Sequence, residues 1–218
     1  MFPHNLKCDT VRYQTLVPNG IVSQYMDSKN FMTECQTPKQ RIMQATERLF
    51  YQEGIRGVGV ERIAKEAKTT KMALYRHFIS KDELVACWLT SVANNYDAEW
   101  LTLETKYQGQ PREMLMALAS NIASPSTERN SRGCPLTNSL VELPNPSHPG
   151  RAVIASYKAK QVTRIESLCR KLRLTNPEEK AVLLHMVYEG AQIALAQGLK
   201  HYKIEESLHS FIENITDK

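Results

Sequence analysis

No two cysteines stand close enough in this chain to form a CxxC pair. The five cysteines, at positions 8, 35, 87, 134 and 169, are odd in number and widely scattered, which argues against a disulfide framework or a zinc site and suits a reducing compartment. No window approaches the roughly 18 consecutive apolar residues of a membrane-crossing helix, and no apolar run of signal-peptide length follows the first charges. The expected setting is therefore the cytoplasm, without a membrane. Catalytic signatures are missing too: there is no Gly-rich phosphate loop, no GxSxG and no HExxH, and the six histidines do not fall at metal-ligand spacing. Neither an enzyme nor a metal or other cofactor is expected. Strand alternation is absent as well, so the expected fold class is all-α. With 218 residues the chain can bury a core that needs no metal or disulfide staple.

What is present is a basic segment with helical punctuation. The formal net charge is +5; residues 37 to 90 hold ten Lys or Arg against six Asp or Glu, residues 1 to 36 are neutral, and 91 to 218 carry +1. The surplus falls on the stretch GVERIAKEAKTTKMALYRHF, residues 59 to 78. Val60, Ile63, Ala64 and Ala67 recur at the spacing of one helix face. Thr70 is placed to cap a second helix in which Leu74 and Phe78 face inward, leaving Lys71, Met72, Ala73, Tyr75, Arg76 and His77 around the open faces. Two helices joined by so short a turn, the second basic and polar, fit a helix-turn-helix whose second helix enters the DNA major groove. The same periodicity also fits a helical hairpin whose basic face is solvated or binds a protein partner.

The string KMALYRHFISKDEL, with IAKEA before it and ATERLFYQEG further upstream, resembles the N-terminal domain of the TetR family of transcription regulators. The resemblance is dense from residue 38 to about 90, and the family pattern is met at Ala45, Leu49, Phe50, Gly54, Ile63, Ala64, Leu74, Tyr75, His77, Phe78, Lys81 and Leu84. It implies a three-helix DNA-binding domain followed by a helical ligand-binding and dimerisation domain. It also assigns Tyr75, His77 and Lys81 to phosphate contacts and sets Thr70, Lys71 and Ala73 near base edges. The chain departs from the pattern at two positions: Gly59 stands where Thr or Ser often caps the first of the two helices, and Lys68 replaces the usual turn glycine. Gly59 still serves as a cap but loses a hydroxyl, while Lys68 must either accept a left-handed backbone or shift the turn.

Residues 1 to 36 show no sustained period and read as a poorly ordered extension; Met26 and Met32 leave room for a later translation start, and an arm into the minor groove is the sharper alternative. The DNA-binding domain is set at 37–83. Thr37, Pro38 and Gln40 announce its first helix, which runs to Gly54 and carries Ile42, Ala45, Leu49 and Phe50 inward. Arg41 in its first turn either touches a phosphate or is simply solvated. Ser80 and Glu83 form a second capping box, with Ile79 and Leu84 as its staple. Lys81 lies where a cation opposes the helix dipole, which calls for an external anion.

The second domain, 84–218, opens with a lever helix through Leu84, Trp88, Val92, Tyr96 and Trp100. Helices follow from Pro111, from Cys134-Pro135 to Leu143, from about 150 to 172, from Asn176-Pro177 to Gly198, and over 204 to 215, with a polar loop at 124 to 133. RGCPLTNSLVELPNPSHPG and EGAQIALAQG resemble, more loosely, the ligand-binding and dimerisation domain of one branch of the same family. The stripe Ala181, Leu184, Tyr188, Ala191 and Leu195 then lies either at a homodimer interface or in the intrachain core. Cys134, at a helix N-terminus near Arg132, is either a thiol sensor or a packing residue. Trp88, Trp100, His185 and Tyr188 are candidates to line an effector pocket, or core aromatics. The expectation is a regulator, most simply a repressor, that binds a palindromic double-stranded DNA operator as a homodimer and is released by a small-molecule or thiol-reactive effector.

Overall fold

Thr37 caps the first described helix: its Oγ1 accepts from the Gln40 backbone N–H at 3.3 Å while the Gln40 side chain accepts from the Thr37 N–H at 2.8 Å. With Pro38 at the first helical position, this box starts α1 (Pro38–Glu53), which ends at Gly54 with φ 82°. The computed structural model describes residues 36–123, 132–199 and 203–217. All but the last residue of the extension at 1–36 and most of the loop at 124–133 lie outside the described residues.

Two short helices, α2 (Val60–Glu66) and α3 (Lys71–His77), pack beneath α1. The turn between them keeps its geometry despite the missing glycine. Lys68 adopts φ 51°, and the Thr69 N–H reaches the Ala64 carbonyl at 2.9 Å. Lys68 thus takes the left-handed conformation at a cost that glycine would avoid. Thr70 caps α3 through a 3.1 Å bond from the Ala73 N–H. Leu74 and Phe78 are buried.

Ser80 caps α4 (Lys81–Lys106) by accepting from the Glu83 N–H at 3.0 Å. Two expectations fail in detail here. The Glu83 carboxylate accepts from the Ile79 N–H, one residue before the cap, and the staple does not form, since Ile79 is 88% exposed while Leu84 is buried. Phe78 has an extended backbone, φ −137° and ψ 119°. Successive side chains of extended chain point oppositely, so burying Phe78 sends Ile79 to solvent.

The remaining helices are α5 (Pro111–Ala123), α6 (Pro135–Glu142), α7 (Pro149–Lys171), α8 (Pro177–Ala196) and α9 (Ile204–Thr216). Asn176 precedes α8 with φ 49° and makes no side-chain cap; its amide donates to Glu179 instead. Among the described residues the fold is all-α, and no helix is long and apolar enough to cross a membrane. Two buried clusters share α4. The first joins α1–α3 to Leu84–Val92 and to Leu136, Leu143 and Ile154; the second gathers Trp100 with residues of α5, α7, α8 and α9. Ala181, Leu184, Tyr188 and Ala191 lie in this second cluster, so the small-residue stripe of α8 is intrachain core. The apolar side chains that α8 leaves exposed are Val182, Leu183, Met186 and Ile193.

Candidate nucleic-acid interface and effector cavity

Helix α3 is held from below and open above. With Leu74 sunk in the core, Met72 is 73% and Tyr75 41% exposed, and Lys71, Arg76 and His77 also face solvent. Ala73 is half-buried, and Thr70 is exposed. The structure therefore brings Thr70, Lys71, Met72, Tyr75, Arg76 and His77 onto one accessible element, as the side-chain spacing implies.

Three cations at or near this element, Lys71, Arg41 and Lys81, are engaged. Lys71 Nζ meets Glu61 Oε1 at 2.5 Å; the hydrogen bond from Lys71 holds the Glu61 carboxyl below its usual value and raises the lysine above its own. Both side chains are more than half exposed, so the pair is weak and exchangeable. Arg41 donates to the carbonyls of Ala67, at 3.1 Å, and Gln36, at 2.8 Å, which stitches α1 to the end of α2. Gly59 caps α2 with no side-chain bond. Lys81 differs most from its expected role: its Nζ donates to the Ile55 carbonyl at 2.7 Å and lies 5.9 Å from the Phe50 ring centroid. Burial pulls its pKa below the ordinary lysine value. The cation at the start of α4 thus finds an internal acceptor. Glu61 is the participant that sequence reasoning missed, because nothing local in the chain pairs residues ten apart on different helices.

A cavity of about 660 Å³ opens between α4, α5, α7 and α8, with the start of α6 and one side of α1 at its wall. Trp88, Trp100, Cys134 and Tyr188 line it; His185 does not. His185 is half-buried on α8, and burial lowers its pKa. Cys134 is the N-cap residue of α6 and is buried. Lys158 Nζ lies 3.6 Å from its Sγ and 2.5 Å from Glu189 Oε1, whose other oxygen accepts from Thr137. Tyr96, Tyr157, Lys158, Gln161 and Glu189 were not foreseen as lining residues. They converge from three helices, and no spacing within one helix reveals that.

Comparison with known proteins bears on the first of these sites. Residues 42–86 match the model of bacterial regulatory proteins of the tetR family. This segment of the chain is similar to the N-terminal domain of the TetR family. Over 100 residues, 45% of this chain and 46% of the relative, it is 30% identical to the HTH-type transcriptional regulator AcrR of Shigella flexneri. It is 27% identical over 119 residues to TtgR of Pseudomonas putida, covering 50% of this chain and 57% of that one. The aligned part thus spans about half the length of these curated relatives. A solved TetR-family transcriptional regulator from Streptomyces coelicolor shares the fold, with a TM-score of 0.71 and 24% identity over 83% of this chain and 96% of its own. The family match covers α1 to α3 and the first turns of α4, the elements that position Lys71, Tyr75 and Lys81.

Proposed function

We propose that this chain is a ligand-responsive DNA-binding regulator of the TetR family, most simply a repressor acting in the cytoplasm. It binds a pseudo-palindromic operator as a homodimer through residues 59–81 and is released when a small-molecule or thiol-reactive effector engages the cavity. The observation that carries the reading is the exposed outer face of α3, held by the buried Leu74 and Phe78 and bearing Lys71, Met72, Tyr75, Arg76 and His77. The exposed Val182, Leu183, Met186 and Ile193 of α8 supply an apolar face for a second copy. Two readers about one helical turn apart, roughly 34–36 Å, then require a palindrome.

Selection from a random duplex pool, with size-exclusion chromatography alongside, tests this. The expected result is a dimer and a palindromic motif. Monomeric protein at micromolar concentration with no motif would overturn it in favour of a helical protein-interaction module built on the same basic face. Lys71 and Lys81 divide the contacts. Lys71, freed from Glu61, is placed to donate to guanine in the major groove, so Lys71→Ala should relax one position of each half-site and cost roughly tenfold or more on the preferred sequence. Lys81 must leave the Ile55 carbonyl to reach a phosphate, so Lys81→Ala should weaken all sequences alike. Equal weakening of every sequence by Lys71→Ala, with the motif intact, would make Lys71 a positioning residue.

The Lys158 ammonium beside Cys134 supports the thiol-reactive route. A mild alkylating agent should modify Cys134 ahead of the other cysteines and release DNA. Unchanged DNA affinity after selective modification would leave Cys134 a packing residue.

A further inference from the structure

The chemistry of the effector follows from which polar groups in the cavity are already occupied. The Tyr188 hydroxyl donates to the Leu115 carbonyl at 3.0 Å, and Lys158 is held by Glu189. Arg48, a lining cation at the side nearest α1, is paired with Glu66. Two lining groups differ. Trp88 is 2% exposed, yet its Nε1–H has no hydrogen-bond partner among the described residues, and neither has the buried Oε1 of Gln161. A buried indole N–H ordinarily finds an acceptor, because leaving it unpaired forfeits more than a typical hydrogen bond returns.

We propose that Trp88 is the specificity-determining donor of the cavity, and that the effector is a neutral, multi-ring aromatic molecule offering a carbonyl-type acceptor to Trp88 and a hydroxyl or amide donor to Gln161. An indole only donates, so its partner must be an acceptor; an amide oxygen only accepts, so its partner must donate. The walls favour flat rings: Tyr96 and Tyr157 lie with centroids 5.7 Å apart, and Trp100 and Tyr188 complete an aromatic lining. The charge balance favours neutrality. Glu47, Glu99 and Glu189 line the space while both lining cations are paired, so an anion meets carboxylates without a free counter-charge. Arg164 lies 5.1 Å from the Trp100 ring centroid, in the position over the indole that a ligand cation would take.

This inference rests on the reading of the cavity as the effector site, and calorimetry without DNA separates the two. The full chain is titrated with para-hydroxybenzophenone, with para-benzylphenol, in which a methylene replaces the carbonyl, and with the cation tetraphenylphosphonium. The ketone should bind about tenfold tighter than benzylphenol, the worth of roughly one hydrogen bond. Trp88→Phe should bring the two within about twofold by weakening the ketone alone. Should that variant fail to fold, the wild-type pair still decides, and one of the two indole N–H resonances should move downfield with the ketone and not with benzylphenol. Equal affinity of the pair in the wild type, equal loss of both in Trp88→Phe, tighter binding of the cation, or no binding by any probe would overturn the proposal. Carbonyl-dependent binding that leaves DNA affinity unchanged would remove the effector reading and leave Trp88 as the donor.

Discussion

Lys71 and Glu61 face each other on the N-terminal unit with 52% and 67% of their side chains exposed, whereas Lys158 and Glu189 meet in the cavity wall with 18% and 17% exposed. The contrast separates two jobs. A solvated pair gives way to a competing phosphate or base at little cost. A pair half-buried between α7 and α8 gives way less readily, because breaking it leaves a charge largely shielded from water. One region keeps Lys71 and Glu61 exchangeable; the other ties down Lys158, Glu189 and Tyr188 and leaves Trp88 Nε1 and Gln161 Oε1 without a partner among the described residues. The regions are nevertheless joined. The Arg56 N–H donates to the Glu142 carboxylate at 2.9 Å, the Arg56 guanidinium donates to the Glu142 carbonyl at 3.2 Å, and His148 Nε2 lies 3.4 Å from Asp82 at the start of α4.

The largest expected effect asks whether the two regions unfold apart. Leu74 is fully buried in the cluster that also holds parts of α4, α6 and α7, so Leu74→Ala should cost about 2–5 kcal/mol. Because Trp88 lies in the first cluster and Trp100 in the second, single-tryptophan variants report each one. Coincident fluorescence transitions, both shifted by Leu74→Ala, are expected; a shift confined to Trp88 would make the regions independent domains.

A smaller effect tests the seam between them. A Cβ at Gly150 would lie 2.8 Å from Leu89 Cδ1, 3.1 Å from His148 Nδ1 and 3.2 Å from Leu143 Cδ1. Gly150→Ala should therefore cost about 1–3 kcal/mol by overpacking. Gly190, on α8 with nothing of its own chain within 4 Å of such a Cβ, should respond by no more than about 1 kcal/mol to the same change. Equal responses in chemical denaturation would refute the tight seam.

The two regions also differ in how far they could be read from sequence. The starts of α1, α3 and α4 were legible because Thr37, Thr70 and Ser80 act on backbone groups three residues away. The buried face of α3 followed from the four-residue spacing of Leu74 and Phe78. Interactions across helices were not legible. Lys81 pointed to an external anion by helix-dipole reasoning but bonds the Ile55 carbonyl, 26 residues away in sequence. The α8 stripe fitted a partner's helix as well as its own core, since both use the same spacing, and only the packing of α5, α7 and α9 around it decided the matter. Trp88, Trp100, Cys134 and Tyr188 were found through residue type, whereas Gln161 carried no local signal.

The smallest expected effect concerns the contact between α4 and α7, where Asp97 Oδ2 accepts from Lys160 at 2.7 Å and Oδ1 from Arg164 at 2.5 Å. Burial is the largest single influence on the Asp97 carboxyl and acts to raise its pKa, but the hydrogen bonds and charges of the two cations together outweigh it and hold the pKa below the ordinary 3.8. A carboxylate bound more readily in the folded state stabilises the protein at pH values above its unfolded pKa. That contribution declines as pH falls below about 4 and is gone below the folded pKa. Asp97 is partly exposed, 29% by side chain, so the effect is discounted for solvent screening: Asp97→Asn should lower Tm by roughly 1–3 °C near pH 6. The difference between wild type and variant should then shrink as pH is taken down through 4. A Tm difference constant from pH 6 to pH 3 would mean that the lost stability comes from packing, and that the ion pairs joining α4 to α7 are as exchangeable as Lys71 and Glu61 between α3 and α2.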